Sequence, residues 1–264
     1  MSGFSPDWLA LREPADAAAR ADDLAGLLRD NVGEPDRAVI RDLGCGTGSM
    51  GRWLRERWPG ARHWILQDRD PGLLALAGAS MTGQGVTVET RLGDLTGLRP
   101  ADLEGTSAVT ASALLDLLTT SEVEALAATC VAAGVPALFT LSVTGRVDLD
   151  PADPLDAEFE AAFNAHQRRE TGGRHLLGPD AVEAATVAFR RRGAEVVTRP
   201  SPWRLGPDQA ALTAEWLRGW VGAACEQEPA LAEAGERYLR GRLAAGVRVT
   251  VGHADLLALP GAAA

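Results

Sequence analysis

The stretch RDLGCGTGSMGRWL, residues 41–54, can be counted in two ways. Gly46, Gly48 and Gly51 give the G-x-G-x-x-G spacing of a dinucleotide site, whereas Asp42, Gly44, Gly46 and Gly48 give D-x-G-x-G-x-G. Either count sets a tight turn between a strand and a helix, because glycine tolerates positive φ and lets a ligand approach the backbone. In a chain with 29 glycines the spacing alone decides nothing. The decision falls to the ends of the strands that follow.

Outward from this stretch the chain alternates short β-like runs with helical ones: AVIRDL then SMGRWLRERW, HWILQ then PGLLALAGAS, VTVETRL then a loop, SAVTAS then SEVEALAATCVAAG, and PALFTLSV. That order predicts parallel strands joined by right-handed crossovers, an α/β Rossmann-like doubly wound sheet with its ligands at the carboxyl ends of the strands. Upstream, residues 15–31 carry Ala17, Leu24, Leu27 and Leu28 on one stripe and read as a leading helix. Downstream, RVDLDPADPLD reads as a loop, followed by a helix through EFEAAFNAHQRRE and a turn at Gly172 and Gly173. A helix through DAVEAATVAFRRRG, a strand AEVVTRP, a turn SPWRL, helices from about 208 to 245 and a last strand in GVRVTVGHADLLAL complete the chain.

Composition removes several function classes. All 26 basic residues are arginine, so neither a lysine Schiff base nor a Walker lysine is available. A net charge of −10 argues against a nucleic-acid partner. Three scattered cysteines give no disulfide framework or zinc pattern, and no metal is expected. The early acids of MSGFSPDWLALREPAD and the lack of an eighteen-residue apolar run predict a cytoplasmic chain without a membrane partner.

The second strand ends at Asp68, twenty residues after Gly48, where an acid accepts both hydroxyls of a ribose. The third ends in RLGDL, where Asp94 is placed to accept from an adenine amino group while Leu95 packs on the ring. An acid on the adenine is no part of the dinucleotide fingerprint. These residues resemble the class I S-adenosylmethionine-dependent methyltransferases, in particular the small-molecule branch that includes quinone-biosynthesis and trans-aconitate methyltransferases. The resemblance covers residues 36 to 145 well and the remainder in outline. It implies a mostly parallel seven-stranded sheet with an antiparallel last strand and a helical lid after strand five. It divides the chain into an N-terminal helical segment (1–35) and a methyltransferase domain (36–264), with 146–176 as the substrate-lid insertion. It implies S-adenosyl-L-methionine as cofactor, with Asp42 placing the methionine amino group, Gly44, Cys45, Gly46 and Gly48 packing along the cofactor, Asp68 and Arg69 at the ribose, Asp94 and Leu95 at the adenine, and Ser112 at the exit of strand four.

The methyl acceptor is expected to be a small molecule, methylated at oxygen because Ser112-Ala113-Leu114-Leu115 stands where the amino-methylating branch carries N-P-P-Y. Methylation at nitrogen or carbon, an NAD-dependent oxidoreductase built on Gly46, Gly48 and Gly51, and a non-catalytic cofactor-binding protein are the alternatives. Asp116 is a candidate catalytic group or, equally, a helix-start acid bonded to backbone amides. His166 shares a helix face with Phe159 and Phe163 and is the second catalytic candidate, against a packing role. Asn164, Arg168, His175 and Trp203 are candidate substrate contacts. Trp8, Arg12 and Asp16 are placed to fold over the cofactor, and both a monomer and a homodimer remain open.

Overall fold

The computed structural model describes residues 4–83 and 85–261, apart from the side chain of residue 35. In chain order the elements are α1 (Pro6–Ala19), α2 (Asp22–Asp30), β1 (Val39–Leu43), α3 (Ser49–Arg57), β2 (His63–Asp68), α4 (Pro71–Met81), β3 (Thr87–Leu92), β4 (Ala108–Ser112), α5 (Thr120–Ala132) and β5 (Ala137–Asp150). There follow α6 (Asp156–Gln167), the hairpin β6 (Glu170–Thr171) and β7 (Arg174–His175), α7 (Ala181–Arg190), β8 (Glu195–Pro200), β9 (Trp203–Leu205), α8 (Ala210–Gln227), α9 (Ala232–Ala245) and β10 (Arg248–Leu259). The main sheet runs β3-β2-β1-β4-β5-β10-β8, with β9 added beside β10. β1 to β5 pair in parallel, and β10 inserts antiparallel between β5 and β8. The expected seven-stranded Rossmann-like sheet is therefore present, with β9 as an eighth strand.

Val39 to Leu43 read as a nearly continuous buried run because both faces of the sheet are covered. On one face Leu24, Leu28, Trp53, Leu54 and Trp64 pack with α2, α3 and α4. On the other, Leu126, Phe139, Phe189 and Leu256 pack with α5 and α7. A third cluster, with Phe159, Trp203, Trp216, Trp220 and Tyr238, fills the space under α6, α8 and α9.

Three expectations change. Residues 15–31 are not one helix: α1 begins at Pro6, runs through Pro14, and stops at Arg20, whose extended backbone (φ −57, ψ 141) turns the chain before Asp22 and Asp23 open α2. Residues 146–150, expected as a loop, are the end of strand β5. In the Val147 to Leu149 stretch an alternating inward-outward pattern is paired with β10, and the acids and prolines nearby had masked it. SPWRL is a strand and not only a turn, because Trp203 and Leu205 bury one face while their backbone pairs with Val249 to Val251.

β5 carries a bulge. Leu141 adopts φ +57 between the Phe139–Leu256 and Ser142–Ala254 pairs, and its N–H donates to the fully buried Asp255 at 2.8 Å. The same carboxylate accepts from Ser201 Oγ at 2.5 Å and from Ala21 N–H at 2.8 Å. One side chain thus ties the bulge, the β8–β9 link and the α1–α2 break together.

Candidate active site

The carboxyl ends of β1, β2 and β4 meet where Leu43 pairs with Gln67 and Ala111. The chain leaves β1 through Gly44, Gly46 and Gly48, at φ +60, +53 and +89, a sequence of left-handed residues that L side chains resist. Gly48 leads into α3, and its N–H donates to Cys45 O at 2.8 Å. Asp68 braces the turn: Oδ2 accepts from Gly46 N–H at 2.8 Å and Oδ1 from Asp70 N–H at 2.9 Å. Each carboxylate oxygen keeps a lone pair for a further donor. Asp94 is exposed and caps the turn Leu95–Gly97 by accepting from Thr96 N–H at 2.8 Å, a bond that lowers its pKa. Leu95 packs on the core beneath it, while Arg69 lies exposed beside Asp68. Gly51 sits inside α3, where a Cβ would stand 2.7 Å from Met81 Cε, so the glycine that completes the dinucleotide count is a packing residue.

Two charged groups are buried behind this loop. Asp42 is fully buried; its Oδ1 accepts from Thr110 Oγ1 at 2.7 Å, and burial pushes its carboxyl up to about 7. Arg20 enters from the α1–α2 break and is 4% exposed. Its Nη2 donates to Ser49 Oγ at 2.9 Å and Ser112 Oγ at 3.0 Å, and its guanidinium carbon lies 5.6 Å from the Trp53 ring centre. Among the described residues, Asp42 Oδ2 and Arg20 Nη1 have no hydrogen-bond partner. Buried polar atoms without partners are rare, and these two lie where a ligand seated on the glycine turn would present its own charges. Cys45 is a buried packing thiol whose pKa burial raises, the opposite of an activated nucleophile.

Beyond the ends of β4 and β5 opens a cavity of about 210 Å³. Trp8, Phe163, Trp203 and Trp216 wall it, and Ala113 and Leu141, the two non-glycine residues with positive φ among those described, lie in its floor. Asp116, in the turn after β4, is part of its lining; its Oδ1 is buried and, among the described residues, unpartnered, and burial pushes its carboxyl up to about 6. Asn164 and Gln167 reach it from α6, and His253 from β10. His253 donates to or accepts from no charged group; its Nδ1 lies 3.0 Å from Val251 O, and burial with the nearby Arg12 holds its pKa down to about 3, so the ring is neutral. Arg12 pairs with Asp16 through two bonds of 2.9 and 3.1 Å, and Asp16 also accepts from Trp203 Nε1 at 2.9 Å. A larger hollow of about 430 Å³ between Pro151 and α9 contains none of the residues at these strand ends.

The structure does not bring His166, Arg168 and His175 to the cavity. His166 turns toward α8, with Nε2 3.3 Å from Glu226, while Phe163, one turn earlier on the same face, reaches both Trp220 of α8 and the cavity. Arg168 forms a two-bond pair with Asp180 at 2.6 and 2.7 Å, and His175 is exposed on the β6–β7 hairpin. Arg20 and Gln167 escaped the sequence reading. A single helix over 15–31 puts Arg20 on the stripe of Ala17, Leu24 and Leu27, a signal of burial that was passed over, and the Asp22-Asp23 pair marked the new helix start after it.

Residues 40–136 match the family described as "Methyltransferase domain". No curated protein matches the chain in sequence. The whole chain shares its fold with the cyclopropane synthase MmaA2 from Mycobacterium tuberculosis, at 13% identity and a TM-score of 0.53, covering 97% of this chain and 94% of that one. It likewise resembles the YcgJ protein from Bacillus subtilis, at 11% identity and a TM-score of 0.51 over 91% of this chain and 100% of that one. The mycolic acid cyclopropane synthase CmaA1, solved with S-adenosylhomocysteine, matches at 14% identity and a TM-score of 0.50, covering 89% of this chain and 82% of that one. The comparisons thus liken residues 40–136 to a methyltransferase domain and give the whole chain the fold of S-adenosylmethionine-dependent methyltransferases. The residues present fit that cofactor: the positive-φ turn leaves room for a ligand against its backbone, Asp42 Oδ2 suits an ammonium, and Arg20 Nη1 suits a carboxylate. Among the described residues no three of His, Cys, Asp and Glu gather as a metal site, and no helix is long and apolar enough to cross a membrane.

Proposed function

We propose that this protein is an S-adenosylmethionine-dependent methyltransferase acting on a hydroxyl group of a small molecule held in the Trp8–Trp203–Trp216 cavity, and that Asp116 removes the hydroxyl proton. The observation that supports the reading is Asp116, a lining residue of the cavity in the turn after β4 whose Oδ1 is buried without a partner among the described residues. Bound S-adenosylmethionine supplies an electrophilic methyl group on its sulfonium. On this reading Asp42 and Arg20 hold the amino-acid end of the cofactor, Asp68 and Arg69 lie at the ribose, and Asp94 and Leu95 lie at the adenine. Gly44, Cys45, Gly46, Gly48 and Ser112 form the wall behind it.

The aromatic side chains exclude water and orient the acceptor, while Asp116, raised to about 6 by burial, is ionised at neutral pH and still basic enough to accept a proton as the oxygen attacks. Asp116 would take the hydroxyl proton as the methyl group passes to oxygen and its bonding pair stays on sulfur, which would leave S-adenosylhomocysteine held by Asp42 and Arg20. Asn164 and Trp203 line the same cavity and serve as substrate contacts. His166, Arg168 and His175 have no part in it. The three free cysteines, two of them buried, suit a reducing cytoplasm.

The test is product analysis: incubation with isotopically labelled cofactor and a panel of hydroxylated metabolites, with the methyl carbon located by NMR. A methyl group found on oxygen supports the reading, and one found on carbon or nitrogen refutes it.

A further inference from the structure

Every hydrogen-bond partner of the buried Arg20 guanidinium among the described residues is a hydroxyl: Ser49 Oγ at the start of α3, Ser112 Oγ at the end of β4, and Thr140 Oγ1 in β5, 3.4 Å from Nε. Hydroxyls orient a guanidinium without neutralising it, so its charge stays available to an anion. Such a seat fixes a direction only if the backbone that carries the arginine and the strand it rests on are fixed as well.

The backbone that carries it is the break between α1 and α2. Arg20 N–H makes the last bond of α1, to Asp16 O at 3.1 Å. Ala21, which opens α2 without a side-chain cap, sends its N–H to Asp255 Oδ2 at 2.8 Å. The strand beneath is the bulge of β5. Between the Phe139–Leu256 and Ser142–Ala254 pairs, Thr140 and Leu141 stand opposite the single residue Asp255, and Leu141 holds φ +57. A large side chain keeps that conformation only where its surroundings enforce it. Asp255 Oδ1 does so by accepting from Leu141 N–H at 2.8 Å. One fully buried carboxylate therefore grips the residue after Arg20 and the residue after Thr140, while its own bonds go to Ala21, Leu141 and Ser201 and none to Arg20.

We infer that Asp255 is a positioning residue for the cofactor: by holding Ala21 and Leu141 at once, it aims the Arg20 guanidinium at the carboxylate of S-adenosylmethionine. The inference rests on the proposed role of Arg20 and adds the group that sets its direction.

Asp255→Asn separates the two ties. An amide has one oxygen and one NH2, so only one of its two ends goes on accepting. Oδ1 serves two donors and Oδ2 one, so the amide oxygen is expected to stay with Leu141 and Ser201 and the NH2 to face Ala21 N–H, donor against donor. The bulge is kept and the α1–α2 break is released.

The experiment is isothermal titration of the full chain with S-adenosylhomocysteine and with 5′-methylthioadenosine, which lacks the amino-acid end. Asp255→Asn is expected to weaken the first roughly tenfold or more, the lower end of what the Arg20 bond is worth, and the second by less than about threefold. Added to Arg20→Met, it is expected to cost less than about a further twofold, because both substitutions act through one guanidinium. Ser201→Ala removes one Asp255 bond and neither backbone tie, and is expected to leave both affinities within about twofold of the wild type. Where Asp255→Asn lowers folding yield, Ala21→Pro removes the same N–H, at a φ of −76 that proline adopts and after an extended Arg20 that a following proline favours; the same selective loss is expected. Unchanged S-adenosylhomocysteine binding, equal loss of both ligands, or losses that multiply in the double variant overturns the inference. A wild-type protein that does not bind S-adenosylhomocysteine, or an Arg20→Met variant that binds it as the wild type does, would overturn the proposed cofactor site and this inference with it.

Discussion

Replacing Arg20 by Met tests the cofactor site at its most specific point. Arg20 is 4% exposed, makes bonds to Ser49 and Ser112 with one nitrogen, and leaves Nη1 unpartnered. If Nη1 holds the cofactor carboxylate, the substitution removes one charge-assisted bond worth roughly 1.5–3 kcal/mol, a loss of about 10- to 150-fold in affinity. A packing role would cost affinity too, so the assay needs a ligand without the carboxylate. Isothermal titration with S-adenosylhomocysteine and with 5′-methylthioadenosine separates the two: the nucleoside lacks the amino-acid end and otherwise occupies the same pocket. Arg20→Met is expected to weaken the first by the stated factor and the second by less than threefold. Arg20→Lys, which keeps charge without the planar fork, is expected to fall between. Equal losses for both ligands would make Arg20 a structural residue, and no loss for either would remove it from the site.

Asp42 should link cofactor affinity to pH. Burial pushes its carboxyl up to about 7, so it is largely protonated below that pH and cannot hold an ammonium; S-adenosylhomocysteine affinity is expected to rise as pH passes through 7 in the wild type and to stay flat in Asp42→Asn. The raised folded pKa also fixes the sign for stability without ligand: the Asp42 contribution is fully present below about pH 4 and is lost as pH rises through 7, so chemical denaturation should show Asp42→Asn gaining on the wild type over that window. Asp116→Asn is expected to lower kcat by about 10²- to 10⁴-fold with cofactor affinity unchanged, and the wild-type rate should rise with pH to a plateau with a midpoint near 6. A pH-independent rate would refute the proton-acceptor role. Asp255→Ala strands three donors at once, and should cost roughly 3–5 kcal/mol and lower Tm by about 6–20 °C; calorimetry showing a shift under 2 °C, about 1 kcal/mol or less, would contradict the bulge as drawn.

The parts of this molecule that local chemistry dictates were legible in its sequence. Alternation of strand and helix runs located β1 to β5 and their order, and the glycines at 44, 46 and 48 announced a left-handed turn because few other residues take that shape. What escaped depends on tertiary contacts. Val147 and Leu149 are strand because β10 lies beside them, and Trp203 is strand for the same reason; nothing within five residues of either records that partner. His166 shows the limit most clearly. Its spacing from Phe159 and Phe163 does place it on the inward face of α6, but at His166 that face meets α8, and periodicity cannot say which neighbour a buried face has. Arg20 was legible in part, since a helix over 15–31 sets it on the stripe of Ala17 and Leu24, but the break at residues 20–21 that aims it at Ser49 and Ser112 left no periodic signal.

α1 contributes to both halves of the site. Leu9 Cδ1 lies 3.3 Å from where a Cβ on Gly46 would stand, Glu13 pairs with Arg52 behind the glycine turn at 2.6 Å, and Trp8 and Arg12 wall the acceptor cavity. The two chambers therefore share one wall, so a substitution that loosens α1 bears on the cofactor turn and the acceptor cavity together.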